Sequence, residues 1–194
     1  MENILKYCDL CLVRHGQTDW NVRKMYQGHT DIPLNKTGLK QAKDLAKQLV
    51  VDRFDAVYSS DLQRAYTTAR IIADALGLQV NTDRRLREIC QGEWEGKTLD
   101  EVRETYASHF EQEKRDMAHA RAPGGESVGE VADRMRAAVE EIARKHTKQH
   151  VLIVSHGLAL ATIICHINNV PLEQVYRQIP DNSAPVRIRW QTLV

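Results

Sequence analysis

Three short apolar runs, each ending in polar residues, limit what this chain can fold into. Leu10 to Val13 is continuous and apolar and stops at Arg14-His15-Gly16. Phe54 to Tyr58 stops at Ser59-Ser60, followed by Asp61-Leu62-Gln63-Arg64. Val151 to Val154 stops at Ser155-His156-Gly157. Such runs suit strands buried on both faces of a sheet. Strands of this kind, alternating with helical segments, argue for an α/β domain with a mostly parallel sheet. Parallel strands bring all three polar ends to one sheet edge, where sites of open α/β sheets lie. Two arginines and two histidines then converge on topology alone, around a glycine that permits close backbone approach.

The segments between the runs carry helical patterns. Leu39, Ala42, Leu45, Ala46 and Leu49 form a stripe, with Thr37 as the cap and an end near Val50. Asp61 to Leu76 reads as a second helix, closed by Gly77. Arg64 falls in its first turn, where unpaired amides and the positive dipole end favour an anion. Thr98-x-x-Glu101 and Ser127-x-x-Glu130 are capping boxes, opening helices that reach about Met117 and His146. Val128, Val131, Met135, Ala138, Val139 and Ile142 line one face of the second. Gln79-Val80 is a short strand, Leu158 to Ile167 a buried helix, and Pro171 sits in the first turn of a short helix. Pro185 to Trp190 alternates like a half-buried edge strand, able to pair across a homodimer. Val22 to Asn35 is a long polar loop, of the kind often functional. The stretch from about 90 to 126 looks inserted, as a small cap over the site.

Length and composition narrow the function classes. The chain has 194 residues, 42% of them apolar, which fits one domain over residues 1–194 with a real core. A net charge of +1 gives no electrostatic argument for nucleic acid or an anionic membrane. Any anion recognition must come from a local cluster of cations. No apolar run approaches the ~20 residues of a membrane span, and Met1 to Tyr7 carries charge, so a cytoplasmic protein is expected. Cys8 and Cys11 form a C-x-x-C, but on a strand they point to opposite faces. Reduced thiols, Cys90 and Cys165 included, are the expectation. His146 and His150 have no third ligand in sight, so zinc is not expected there.

The motifs themselves resemble a known family. LVRHGQTDWN (12–21), SDLQRAYTTA (60–69), LREICQGEWEG (86–96) and SHG (155–157) resemble, in order, the signature segments of the histidine phosphatase superfamily, also called phosphoglycerate-mutase-like. The resemblance implies a three-layer α/β sandwich with that family's fold. It implies His15 as a nucleophile that becomes a phosphohistidine, and Glu88 as general acid and then base. Arg14, Arg64 and His156 would neutralise the phosphoryl oxygens. Asn21 and Gln27 match positions that contact phosphate, with Gly28 and the Gly157 backbone amide as further candidate phosphate contacts. His15 must be neutral to attack, with one ring nitrogen held, by our expectation, on a backbone carbonyl near Gly16. No cofactor and no metal are implied, and the partner is a small phosphorylated metabolite.

The leading function is phosphomonoester hydrolysis. A cofactor-dependent phosphoglycerate mutase is the alternative, disfavoured by the compact chain and by Pro123-Gly124-Gly125-Glu126-Ser127, which resembles the short phosphatase branches. A narrower one is α-ribazole phosphatase, whose GxWEG segment resembles Gly92 to Gly96. A non-catalytic phosphate-binding module is a third class, disfavoured because His15, His156, Arg14, Arg64 and Glu88 are all present.

Overall fold

The computed structural model describes residues 6–108 and 116–192. In chain order its elements are β1 (Lys6–Arg14), α1 (Asp19–Val22), α2 (Lys36–Leu49), β2 (Ala56–Ser59), α3 (Gln63–Leu76) and β3 (Val80–Thr82). Then come α4 (Leu99–Thr105), α5 (Val128–Lys145), β4 (His150–Ser155), α6 (Gly157–Ile167) and β5 (Pro185–Thr192). The strands form one sheet in the order β3-β2-β4-β1-β5. β1 to β4 run parallel, and β5 pairs antiparallel with β1 at the edge. The architecture is the three-layer α/β sandwich expected from the sequence.

Side-chain alternation on the central strands builds the two cores. On one face Leu10, Leu12, Val151 and Ile153 pack against α5 and α6 through Met135, Val139, Leu160 and Ile163. On the other, Cys11, Val13, Leu152 and Val154 pack against α2 and α3 through Leu45, Leu49, Ala69 and Ile72. Cys8 belongs to the first core and Cys11 to the second, as a period of two demands. All four cysteines are free thiols.

Several boundaries differ from the pattern reading. The cap of α2 is Asn35, whose side chain accepts from the Gly38 amide, and Thr37 lies inside the helix. Leu39 is exposed; Gly38 takes the inward place, because a Cβ there would lie 2.1 Å from the Gln17 carbonyl oxygen. The single turn α1 leads into the long loop, with Thr18 and Asn21 forming its capping box. α4 stops at Thr105, where Tyr106 leaves helical geometry (φ −125°, ψ 38°). Of the rest of the helix expected up to Met117, residues 109–115 lie outside the described residues, and Met117 itself lies in a turn. Gly77 closes α3 in the left-handed conformation (φ 69°), as its position predicted. Trp94, Val102 and Ala122 gather a third, small cluster with Tyr26 and Tyr106, so the 90–126 stretch packs on the loop after α1.

Candidate active site

The strand ends do meet. Arg14 stands opposite Ser155 in the β1–β4 register, and the His15 amide donates to the Ser155 carbonyl at 3.0 Å. The Ser60 amide donates to Val154 at 3.1 Å. The rings of His15 and His156 lie edge to face, with centroids 5.2 Å apart. Both are buried, as is Arg64 at 0% exposure.

His15 Nδ1 lies 2.7 Å from the Gly16 carbonyl oxygen. A carbonyl only accepts, so Nδ1 carries the proton and Nε2 keeps its lone pair. Gly16 is needed for that path: a Cβ there would lie 2.5 Å from the Gly38 carbonyl oxygen. Burial first, and the Arg64 guanidinium second, push both imidazoles well below the usual 6.5, so both are neutral at pH 7. Burial also lowers Arg14 and brings Arg64 down to about 10, which leaves Arg64 charged at pH 7.

The two arginines are held by carbonyls, not carboxylates. Arg64 donates through Nη1 to Thr30 O (2.8 Å) and through Nη2 to Gly28 O (2.7 Å). The Gly28–Thr30 backbone is pinned in turn by Glu95, which accepts from the amides of His29 (2.8 Å) and Thr30 (2.9 Å). Arg14 Nη1 donates to Pro180 O at 3.0 Å. Its guanidinium lies against Gly157, where a Cβ would come within 3.2 Å of Arg14 Cζ and Nε. Four buried nitrogens are left with no hydrogen-bond partner among the described residues: Arg14 Nε, Arg64 Nε, and both ring nitrogens of His156. Unpaired buried polar atoms are costly. Their convergence defines a cationic recess suited to an oxyanion with several acceptor oxygens.

Two neutral side-chain amides are anchored on Thr18. Thr18 Oγ1 lies 3.1 Å from both Asn21 Oδ1 and Gln27 Oε1. The Thr18 amide also donates to Asn21 Oδ1 at 3.0 Å. With their oxygens so engaged, both side-chain amides keep their NH₂ groups to offer. Glu88 lies at the N-terminus of α6, where its oxygens accept from the amides of Leu158 (3.2 Å) and Ala159 (3.0 Å), and from Ile89 (3.0 Å). Its arginine neighbours in sequence pair elsewhere: Arg85 with Asp83 and Glu141, Arg87 with Asp61. Glu88 is therefore not part of a surface ion-pair network.

One expectation needs correction, and two contributions were not foreseen. The N-terminus of α3 is not open to an anion, because Asp31 caps it: Oδ1 accepts from the Gln63 amide at 2.7 Å and Oδ2 from Gln63 Nε2. Arg64 reaches the recess by its side chain alone. The chain beyond Gly157 also contributes more than its sequence suggests. Asn182 Nδ2 donates to the His15 carbonyl at 2.7 Å, and the Arg14 carbonyl accepts from the Ser183 amide at 2.9 Å. Nothing periodic in Ile179 to Ser183 signals this. Thr68 was also missed: it accepts from the Gly16 amide at 3.1 Å and donates to the Arg64 carbonyl, linking two motifs. Its place in SDLQRAYTTA was the available signal. Among the described residues no group of three or more His, Cys, Asp or Glu is arranged to hold a metal ion. His146 instead contacts Tyr58 and Gln149.

Two buried imidazoles lie edge to face near the buried Arg64 and the half-buried Arg14, where β1 and β4 end. The chain belongs to the histidine phosphatase superfamily (branch 1), whose family model matches residues 10–192. It is 37% identical to phosphoserine phosphatase 1 of Hydrogenobacter thermophilus over 175 residues, covering 90% of this chain and 83% of that one. It is 36% identical to a probable phosphoglycerate mutase of Yersinia pestis over 180 residues, covering 93% of this chain and 84% of the relative. Among solved structures, a mycobacterial glucosyl-3-phosphoglycerate phosphatase in complex with VO3 superposes with a TM-score of 0.83. That pair is 31% identical, with 92% of this chain and 90% of the other covered.

Proposed function

We propose that the protein is a phosphomonoester hydrolase that works through a phosphohistidine on His15. The observation that carries this reading is the set of unpartnered buried nitrogens on Arg14, Arg64 and His156 around a neutral His15. A phosphate monoester dianion repels nucleophiles, and fixed cations offset that repulsion before and during transfer. His15 Nε2 attacks phosphorus while Glu88 gives its proton to the departing alkoxide oxygen. Water then attacks the phosphohistidine with Glu88 taking its proton, which releases phosphate and restores the imidazole. Gly16 O holds Nδ1–H throughout. Asn21 and Gln27 donate their NH₂ groups to phosphoryl oxygens, and Gly157 admits Arg14 to them. Gly28 acts through its carbonyl, on Arg64.

Hydrolysis is favoured over mutase chemistry by the likeness to phosphoserine and glucosyl-3-phosphoglycerate phosphatases, and by the modest 90–126 stretch, read as a cap. The substrate class is a small phosphorylated metabolite. Guanidinium and imidazole supply the positive charge, so no metal is required. Free cysteines accord with a cytoplasmic location, and the open edge of β5 accords with a homodimer. Among the described residues no helix is long and apolar enough to cross a membrane. The test is a panel that includes phosphoserine and 3-phosphoglycerate, with free phosphate measured in the presence of a strong chelator. Phosphate release is expected throughout. Conversion of 3-phosphoglycerate to 2-phosphoglycerate without release, or activity restored only by Mg²⁺ or Zn²⁺, would refute the proposal.

A further inference from the structure

Glu88 sits on an irregular turn, and something must hold that turn still. The turn begins at Leu86, whose carbonyl accepts from Ser155 Oγ at 2.7 Å. Beyond this the main anchor is Arg134, which projects from α5. Its Nη1 donates to the carbonyls of Arg85 (2.8 Å) and Arg87 (2.7 Å). Its Nη2 donates to the carbonyl of Glu88 itself (2.9 Å) and to Glu126 Oε2 (2.9 Å). Its Nε donates to Glu126 Oε1 at 2.8 Å. Every nitrogen of the guanidinium is thus engaged. Glu126 extends the clamp: its Oε2 accepts from the Cys90 amide (2.8 Å), and its own amide donates to the Cys90 carbonyl (2.9 Å). His29 Nε2 lies 2.8 Å from the same Glu88 carbonyl oxygen.

We propose that Arg134, buttressed by Glu126, is the positioning residue for the general acid. It fixes the backbone from Arg85 to Cys90 so that the Glu88 carboxylate stays at the N-terminus of α6 beside the phosphoryl recess. The proposal rests on the acid role given above to Glu88. The side chains of Arg134 and Glu126 are only 18% and 25% exposed, so the clamp is shielded from competing water. Lysine keeps the charge but lacks the planar fork that reaches three carbonyls and a carboxylate together.

The experiment compares kcat/KM for p-nitrophenyl phosphate, whose leaving anion hardly needs a proton, with that for an alkyl phosphate such as phosphoserine. Glu88→Gln is expected to slow the alkyl ester about 100-fold more than the aryl ester. Arg134→Lys is expected to show the same selectivity at about 10-fold, since a misplaced catalytic group loses rate steeply. Glu126→Gln should follow in the same direction with a smaller loss, and it replaces Arg134→Lys if that variant does not fold. In a Glu88→Gln background, Arg134→Lys should cost less than about 2-fold further, because the group it positions is gone. Selectivity in Glu88→Gln but equal slowing of both esters by Arg134→Lys and Glu126→Gln overturns the positioning role alone. Equal slowing of both esters in Glu88→Gln overturns the acid role and, with it, the positioning role.

Discussion

Two arginine sites, on helices that cover opposite faces of the sheet, show opposite designs. Arg134 has every nitrogen engaged, by three carbonyls and a carboxylate. Arg64 is more deeply buried, yet among the described residues no carboxylate pairs with it, and its Nε, like both ring nitrogens of His156, has no hydrogen-bond partner. A satisfied buried ion pair stabilises one arrangement of the backbone around it. A buried cation with donors to spare costs stability unless an anion arrives. The first design suits holding a turn in place, and the second suits taking up a ligand. Burial alone does not separate them; the hydrogen-bond inventory does.

The contrast can be broken most sharply at the imidazole between the cations. His15→Ala should lower turnover by at least ~10⁴-fold, the scale set by loss of a covalent nucleophile. It should also abolish the acid-labile phosphoenzyme. Undiminished phosphoenzyme in that variant would place the nucleophile elsewhere. The next effect is on stability. Vanadate at about 100 times its Kd should stabilise the wild-type fold by ~2.7 kcal/mol. Arg64→Met should lose this protection, while Arg134→Lys should keep it. Equal loss in both variants would erase the distinction between the two arginines.

The smallest effect is a pH slope. His15 and His156 have folded-state pKa values pushed well below 6.5 by burial and by Arg64. Below pH 6.5 the unfolded chain therefore binds protons that the folded chain does not. Stability is fully present above that pH and is lost as pH falls, by up to ~1.4 kcal/mol per pH unit for each such histidine. Denaturant titrations between pH 6.5 and 5 should give a shallower slope for His156→Gln than for wild type. An unchanged slope would mean that His156 is protonated inside the fold.

Much of the site was legible because its parts are local. An apolar run ending in Arg14-His15-Gly16, and another ending in Ser155-His156-Gly157, each need only a strand and a turn to be read. Their meeting follows from parallel neighbours in a sheet. Arg134 was not legible: on a charged, amphipathic helix it looks like any outward-facing cation. The Asp31 cap on α3 was hidden for a similar reason, since a side chain from a loop more than 30 residues earlier supplies it. The help that Pro180 and Asn182 give to Arg14 and His15 crosses more than 160 residues of chain and has no periodic signature.

Residue order alone settled the alternation of strands and helices, the two cores and the four motifs, because hydrophobic period and short capping patterns act over a few residues. Tertiary structure alone decided which polar atoms found partners and which did not. Satisfaction depends on donors and acceptors brought from distant segments to within 3 Å or so, a distance at which periodicity carries no information. That difference separates the engaged guanidinium of Arg134 from the unpartnered nitrogens of Arg14, Arg64 and His156.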